Sequence, residues 1–169
     1  MAIVHSASLS VSVIADVIDT ALSTAKDELR ASHAFDLVDG AGDSQFDVLY
    51  HEAHTLAASG TKDYDLAGGG LVDRLGAAVL IAELAGIFIK NLETTNGIDL
   101  QVGAGSNPVT SLWLASGDAI NVRASGSLCL LANLEGYAVT ASTADVLRTT
   151  NLSGSSTLDY EIYLLGRSS

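Results

Sequence analysis

Residues 77–92 read Ala77-Ala78-Val79-Leu80-Ile81-Ala82-Glu83-Leu84-Ala85-Gly86-Ile87-Phe88-Ile89-Lys90-Asn91-Leu92, and the reading of this run decides the fold. Val79, Ile81, Ile87 and Ile89 alternate against Leu80, Leu84 and Phe88, so an extended chain here is apolar on both sides. A surface helix needs a polar face, which this stretch lacks. A central strand bent at Gly86 fits better. Glu83 then requires an exposed edge, a partner or a bend.

The same grammar continues downstream. Short apolar runs at 98–102, 112–115, 120–123, 128–132, 137–140, 146–150 and 158–165 are separated by turn residues such as Gly103-Ala104-Gly105-Ser106-Asn107-Pro108 and Ser116-Gly117-Asp118. Upstream, runs at 46–56 and 61–66 precede Gly68-Gly69-Gly70. Turn signals every ~8–12 residues mark an all-β sandwich or barrel. No repeat with the period of a solenoid or propeller is present. The expected fold is an antiparallel, jelly-roll-like β-sandwich over residues 46–169.

Residues 1–45 read as an N-terminal extension, divided from the body at Asp39-Gly40-Ala41-Gly42-Asp43-Ser44. Ala7, Leu9, Val11 and Val13 alternate with Ser8, Ser10 and Ser12, the pattern of a strand buried on one face. Ile14, Val17, Ile18, Ala21, Leu22, Ala25 and Leu29 fit a helical stripe. A short helix is slightly preferred there, with a continued extended arm as the alternative.

Composition narrows the function classes. The 169 residues are 48% hydrophobic and 17% charged, which supports a folded core rather than disorder. Eight Lys and Arg against 20 Asp and Glu give a net charge of −12, and the basic residues never cluster. Direct nucleic-acid binding and attraction to an anionic membrane are both disfavoured. The apolar run ending at Ile89 contains Glu83 and is too short to span a bilayer, so the mean hydropathy of +0.34 indicates buried strands. The opening residues carry no basic, apolar leader pattern, so synthesis in the host-cell cytoplasm is expected. The lone Cys129 excludes an internal disulfide and reads as core filler.

Residues capable of chemistry are present but not organised by spacing. His51-Glu52-Ala53-His54 is one residue short of the HExxH zinc motif, and on a strand the two histidines point to opposite faces. His5 and His33 stand alone. Asp39, Asp43 and Asp47 flank two glycines and are the best calcium candidate, yet they lack EF-hand spacing and read more readily as an acidic turn. Asp63 and Asp65 read as decoration of a solvated strand face. Neither Gly68-Gly69-Gly70 nor Gly103-Ala104-Gly105 has the spacing or strand-to-helix context of a phosphate loop, so both read as turns. No catalytic residue, cofactor or metal site is assigned, and the chain is not expected to be an enzyme.

One resemblance extends over residues 46–169. His54-Thr55-Leu56-Ala57-Ala58-Ser59, then Asp63-Tyr64-Asp65-Leu66-Ala67-Gly68, Leu71-Val72-Asp73-Arg74-Leu75-Gly76 and Ile87-Phe88-Ile89-Lys90-Asn91 follow an order similar to that of small tailed-phage proteins. Leu100-Gln101-Val102-Gly103, Tyr137-Ala138-Val139-Thr140-Ala141, Ala144-Asp145-Val146-Leu147-Arg148 and the ending Asp159-Tyr160-Glu161-Ile162-Tyr163-Leu164-Leu165-Gly166-Arg167-Ser168 continue it. Ala124-Ser125-Gly126 stands where such proteins usually have a Pro-Gly turn. The resemblance implies a phage virion structural protein with a β-sandwich fold.

The leading expectation is therefore a capsid decoration or minor head protein, resident in the virion. It would act as a homo-oligomer, with a trimer favoured, docked on the major capsid or other virion proteins. A tail-apparatus component is the near alternative. A carbohydrate-binding or adhesin module comes next, weakened by sparse aromatics and a single Trp113, and a small hydrolase last. The apolar Leu112-Trp113-Leu114 is expected to contribute surface that oligomerisation buries.

Overall fold

The computed structural model describes residues 6–18, 26–95, 97–115 and 117–168. Among these every regular element is a strand: β1 (Ser6–Ile18), β2 (Lys26–Asp39), β3 (Gln45–Phe46), β4 (Val48–Leu56), β5 (Thr61–Asp65), β6 (Leu71–Val72) and β7 (Ala78–Val79). Then come β8 (Glu83–Asn91), β9 (Leu100–Ala104), β10 (Ala119–Val122), β11 (Ser127–Leu131), β12 (Tyr137–Ala138), β13 (Val146–Asn151) and β14 (Leu158–Arg167). The all-β expectation holds.

Two antiparallel sheets form the body. One runs β11-β8-β14-β4, with β12 also paired to β8, and the other runs β10-β9-β13-β5. Each step β4 to β5, β8 to β9, β10 to β11 and β13 to β14 passes from one sheet to the other. Alternation puts one side of each strand inward. On β14 the inward set Leu158, Tyr160, Ile162 and Leu164 is wholly buried, and it meets Leu100, Val102 and Leu147 of the second sheet in one core.

The run at 77–92 divides rather than forming one strand. Ala78–Val79 pairs with Leu71–Val72 as a small hairpin, and the central strand begins only at Glu83. The bend expected at Gly86 is a β-bulge. Leu165 pairs with Gly86 but Gly166 pairs with Leu84, leaving Ala85 as the extra residue. A side chain at Gly86 would lie 2.8 Å from Leu131 Cδ2, so two leucines close over a position that needs to be bare.

Two further expectations are corrected. The run at 112–115 is a turn, since the amides of Leu112 and Trp113 both donate to the Val109 carbonyl at 2.9 Å. That turn drops Trp113 into the core at 6% exposure and leaves only Leu114 of the trio fully outside. Gly103 is not a turn residue but lies within β9, where β10 approaches so closely that a Cβ would meet Asp118 O and Ala119 Cβ at 2.6 Å each.

The helix considered for 14–29 is absent from the described part of that stretch. β1 and β2 form one long antiparallel ribbon in which Ile14 pairs with Arg30 and Ala15 with Leu29. Ala21, Leu22 and Ala25 lie outside the described residues. The physical reason is that β-branched residues such as Val11, Val13, Ile14, Val17 and Ile18 favour extended chain over helix, and the register gives each a partner residue across the ribbon. The ribbon meets the body where Val38 and Asp39 pair in parallel with Gln45 and Phe46.

Gly103→Ala is expected to cost about 1–3 kcal/mol, because the obstructing Asp118 carbonyl and Ala119 Cα and Cβ are fixed by the backbone and cannot swing aside. Gly70→Ala, with nothing within 4 Å of its Cβ position, should stay within about 0.5 kcal/mol. Thermal melts of the two single variants check this contrast.

Candidate functional site

The densest polar group lies where the sandwich is open along its β4–β5 side. Both strands are sheet edges, and their inward positions carry Tyr50, Glu52 and His54 on β4 with Lys62 and Tyr64 on β5. Lys62 donates to Glu52 Oε1 at 2.5 Å and Tyr50 Oη donates to Oε2 at 2.8 Å. His54 Nδ1 lies 3.3 Å from the same carboxylate. Deeper in, the hydroxyls of Tyr64 and Tyr160 are 2.5 Å apart, and Thr149 Oγ1 is 2.8 Å from Tyr160. The Lys62 ammonium also sits 5.1 Å from the Tyr64 ring centre.

Burial raises the Glu52 carboxyl, but hydrogen bonds from Lys62 and Tyr50 more than offset it and hold the pKa below the ordinary 4.5. Burial drives the Tyr64 phenol far above 10.0, with Tyr160 beside it adding to the rise. Tyr160 moves up as well, again chiefly through burial. Every charged atom in this cluster is engaged by a neighbour within it. Inward-pointing charge along two adjacent edges also blunts them against further strand pairing.

A second polar node is built on Arg167, which is 2% exposed. Its Nη1 donates to Glu83 Oε2 at 2.8 Å and to Leu134 O at 3.2 Å, Nη2 to Asn133 O at 3.0 Å, and Nε to Gln45 O at 3.1 Å. One side chain thus joins the end of β14, the start of β8, the loop after β11, and β3 at the root of the ribbon. The Ser44 amide donates to the same Asn133 carbonyl at 2.7 Å. Glu83 therefore finds the partner its sequence position demanded. Arg167 itself gave no separate indication in the sequence, because Glu83 and Arg167 meet only through strand register.

The remaining sequence candidates are dispersed. His51 and His54 lie on opposite faces of β4: His51 stacks on Tyr163 at 4.1 Å and takes Arg74 Nη2 at 2.7 Å, while His54 joins the Glu52 cluster. The Asp47 carboxylate accepts from the amide and hydroxyl of Ser168. The acidic loop is braced instead by Gln45 Oε1, which accepts from the Gly42 amide at 2.9 Å. Among the described residues, no group of three or more His, Cys, Asp or Glu is placed to hold a metal ion. Asp63 pairs with Arg148 through two bonds of 2.6 and 2.7 Å, and Asp65 caps the turn at Ala67 and Gly68. His5 falls outside the described residues, and His33 pairs with Val11 in the ribbon.

Cys129 is exposed, not core filler: it occupies an outward position on β11, opposite Phe88 of β8. Partial desolvation by its neighbours raises the thiol pKa. A shallow groove of about 240 Å³ on the second sheet is lined by Thr61, Gln101, Asp118, Arg148 and Thr150 among others, with no aromatic ring. Compared with known proteins, the chain matches no family model and no curated protein.

The tyrosine and glutamate shifts give opposite pH limits. Glu52, lowered in the folded chain, contributes stability that is present above the ordinary 4.5 and is lost as pH falls through its lower folded value. Tyr64, raised in the folded chain, contributes stability present below 10.0 and lost as pH climbs above it. Melting temperature followed across pH should fall at both ends. Glu52→Gln should flatten the acid limb chiefly, with a smaller change on the alkaline limb because Glu52 helps raise Tyr50, Tyr64 and Tyr160, and Tyr64→Phe should flatten the alkaline limb in part and leave the acid limb unchanged.

Proposed function

We propose that this chain is a structural subunit of a tailed-phage particle. In this reading it is a capsid decoration or minor head protein that docks as a homo-oligomer onto other virion proteins. The observation that carries the reading is the ribbon: strands of 13 and 14 residues whose pairing among the described residues, apart from the last two residues of β2, is with each other. A two-stranded hairpin is marginal in water on its own, so an extension of this length is stabilised by something it docks on.

Four further features support it. The strand order, with the steps β4 to β5, β8 to β9, β10 to β11 and β13 to β14 crossing between sheets while β9 and β10 pair within one, supports a jelly-roll reading, an architecture used by viral capsid proteins and lectins. The charged side chains of the Glu52 and Arg167 clusters are spent on one another rather than aimed at a cavity. The sequence over 46–169 resembles small virion proteins of tailed phages. A net charge of −12 suits a basic patch on a capsid partner.

A carbohydrate-binding role is the second reading, favoured by the polar groove around Arg148 and Gln101. It is weakened by the burial of Trp113, which removes the one tryptophan from service as a sugar-stacking surface.

Light scattering of the full chain should report a defined oligomer, with a trimer expected, and purified phage particles should carry the protein in a fixed symmetric copy number. A chain that stays monomeric at high concentration and is missing from purified particles overturns the proposal.

A further inference from the structure

β11 is an edge of its sheet, and its ladder to β8 fixes which of its main-chain groups are left over. The Asn91 amide donates to Gly126 O at 3.0 Å, and the Ala132 amide to Ala85 O at 2.9 Å. Hydrogen-bonded pairs alternate along an antiparallel ladder, and the register between these two bonds is unbroken. Leu128 and Leu130 therefore bond to β8, while the N–H and C=O groups of Ser127, Cys129 and Leu131 point away from it. Among the described residues no strand pairs with β11 on that side, and no hydrogen bond reaches these six groups.

Sheet edges are ordinarily blunted by charge or by proline. β5 carries Lys62, Asp63 and Asp65, and β4 turns Glu52 toward Lys62. The run Gly126-Ser127-Leu128-Cys129-Leu130-Leu131-Ala132 has neither device. Ser127 and Cys129 are exposed, and Leu128 and Leu130, packed against the core from the edge, are only half-buried. Such an edge seats an extended strand, and β11 is complementary to itself, because Leu128 and Leu130 stand symmetrically about Cys129. A second β11, antiparallel about a two-fold axis at Cys129, sets Ser127 against Leu131, Leu128 against Leu130, and Cys129 against its own copy. Among two-fold registers this one alone pairs all three outward residues within the strand.

We infer that β11 of one copy pairs antiparallel with β11 of a second copy, joining two β11-β8-β14-β4 sheets edge to edge. This rests on the self-association in the proposed function and names a surface that performs it. The two surfaces are identical, so their lengths match by symmetry. Leu128 and Leu130 of each copy are covered by those of the other, where side chains in the non-hydrogen-bonded pairs come closest. No formal charge lies on the strand, so none of the net charge of −12 is buried by the pairing. Five paired residues give roughly 17 Å of edge. That buries less than the about 800 Å² per partner of a standard interface, so the pair dissociates on dilution. A two-fold contact builds a dimer, or a pair of trimers where a three-fold contact forms elsewhere in the chain.

Cross-linking of the full chain in a Cys129→Ser background tests the register. Ser127→Cys and Leu131→Cys are made separately in that background. In the inferred pair, position 127 faces position 131 of the second copy with Cα atoms about 5.5 Å apart, within the span of a disulfide. Position 127 lies about 13 Å from position 127 of the second copy, which is out of reach. Mixed under mild oxidation, the two variants should give one linked heterodimer, and neither should link efficiently by itself. Independently, Cys129→Pro removes only an outward N–H, so it should keep the wild-type circular dichroism and weaken self-association at least about tenfold in sedimentation. If Cys129→Pro does not fold, the cross-linking pattern decides. Equal linking in separate and mixed samples, no link in the mixture, or a folded Cys129→Pro that associates like the wild type overturns edge pairing. Should the protein still be found in purified particles at a fixed copy number, the virion reading survives that failure.

Discussion

A buried guanidinium at the end of the last strand ties this fold together. Arg167 is enclosed, and its donors are directed at one carboxylate and three carbonyls drawn from three separate segments. A buried cation is tolerated only when its donors are satisfied in this way, and removing it strands the acceptors as well as the charge. The planar fork matters, because a lysine presents a single point charge and cannot bridge Glu83, Asn133 and Gln45 at once. The consequence is architectural. The root of the ribbon, the bulged central strand and the loop after β11 are held in one geometry.

The two ends of the sandwich strands solve different problems. At the β4–β5 opening, polar and charged side chains turn inward and satisfy one another, closing an edge that would otherwise recruit another strand. The outer face of the β4-containing sheet carries two largely apolar rows, Leu49, Leu165 and Leu131 around Gly86, then His51, Tyr163, Phe88 and Cys129, with Arg74 bonded to His51. A net charge of −12 opposes nonspecific self-association.

Much of the fold was legible because period-two patterning and turn chemistry are local. The strands at 46–56, 61–66, 128–132, 146–150 and 158–165 stand close to where alternation placed them. The opposite faces of His51 and His54 followed from strand parity alone. What failed was whatever depended on distant neighbours. Ile14 to Leu29 satisfied a helical stripe as well as a strand, and only cross-strand pairing resolved it. Trp113 sits in an apolar run that a tight turn carries into the core. Gly103 looked like a turn but answers to the close approach of β10. Cys129 looked like core filler because its neighbours are apolar, and the parity of β11 puts it outside. The Glu52 and Arg167 clusters join residues 10 and 84 positions apart, respectively, so neither forms a motif.

The central claim is that Arg167 holds the arm root to the body without being needed for the far sheet. Hydrogen exchange on the wild-type chain and Arg167→Met, both as full-length protein, tests this most directly. The amides of Val38, Gly40 and Ser44, which donate to Ser44 O, Phe46 O and Asn133 O, should lose protection in the variant. Amides of β9 and β13 should keep theirs. Equal protection at positions 38, 40 and 44 in the two proteins, or a matching loss across β9 and β13, would contradict the account.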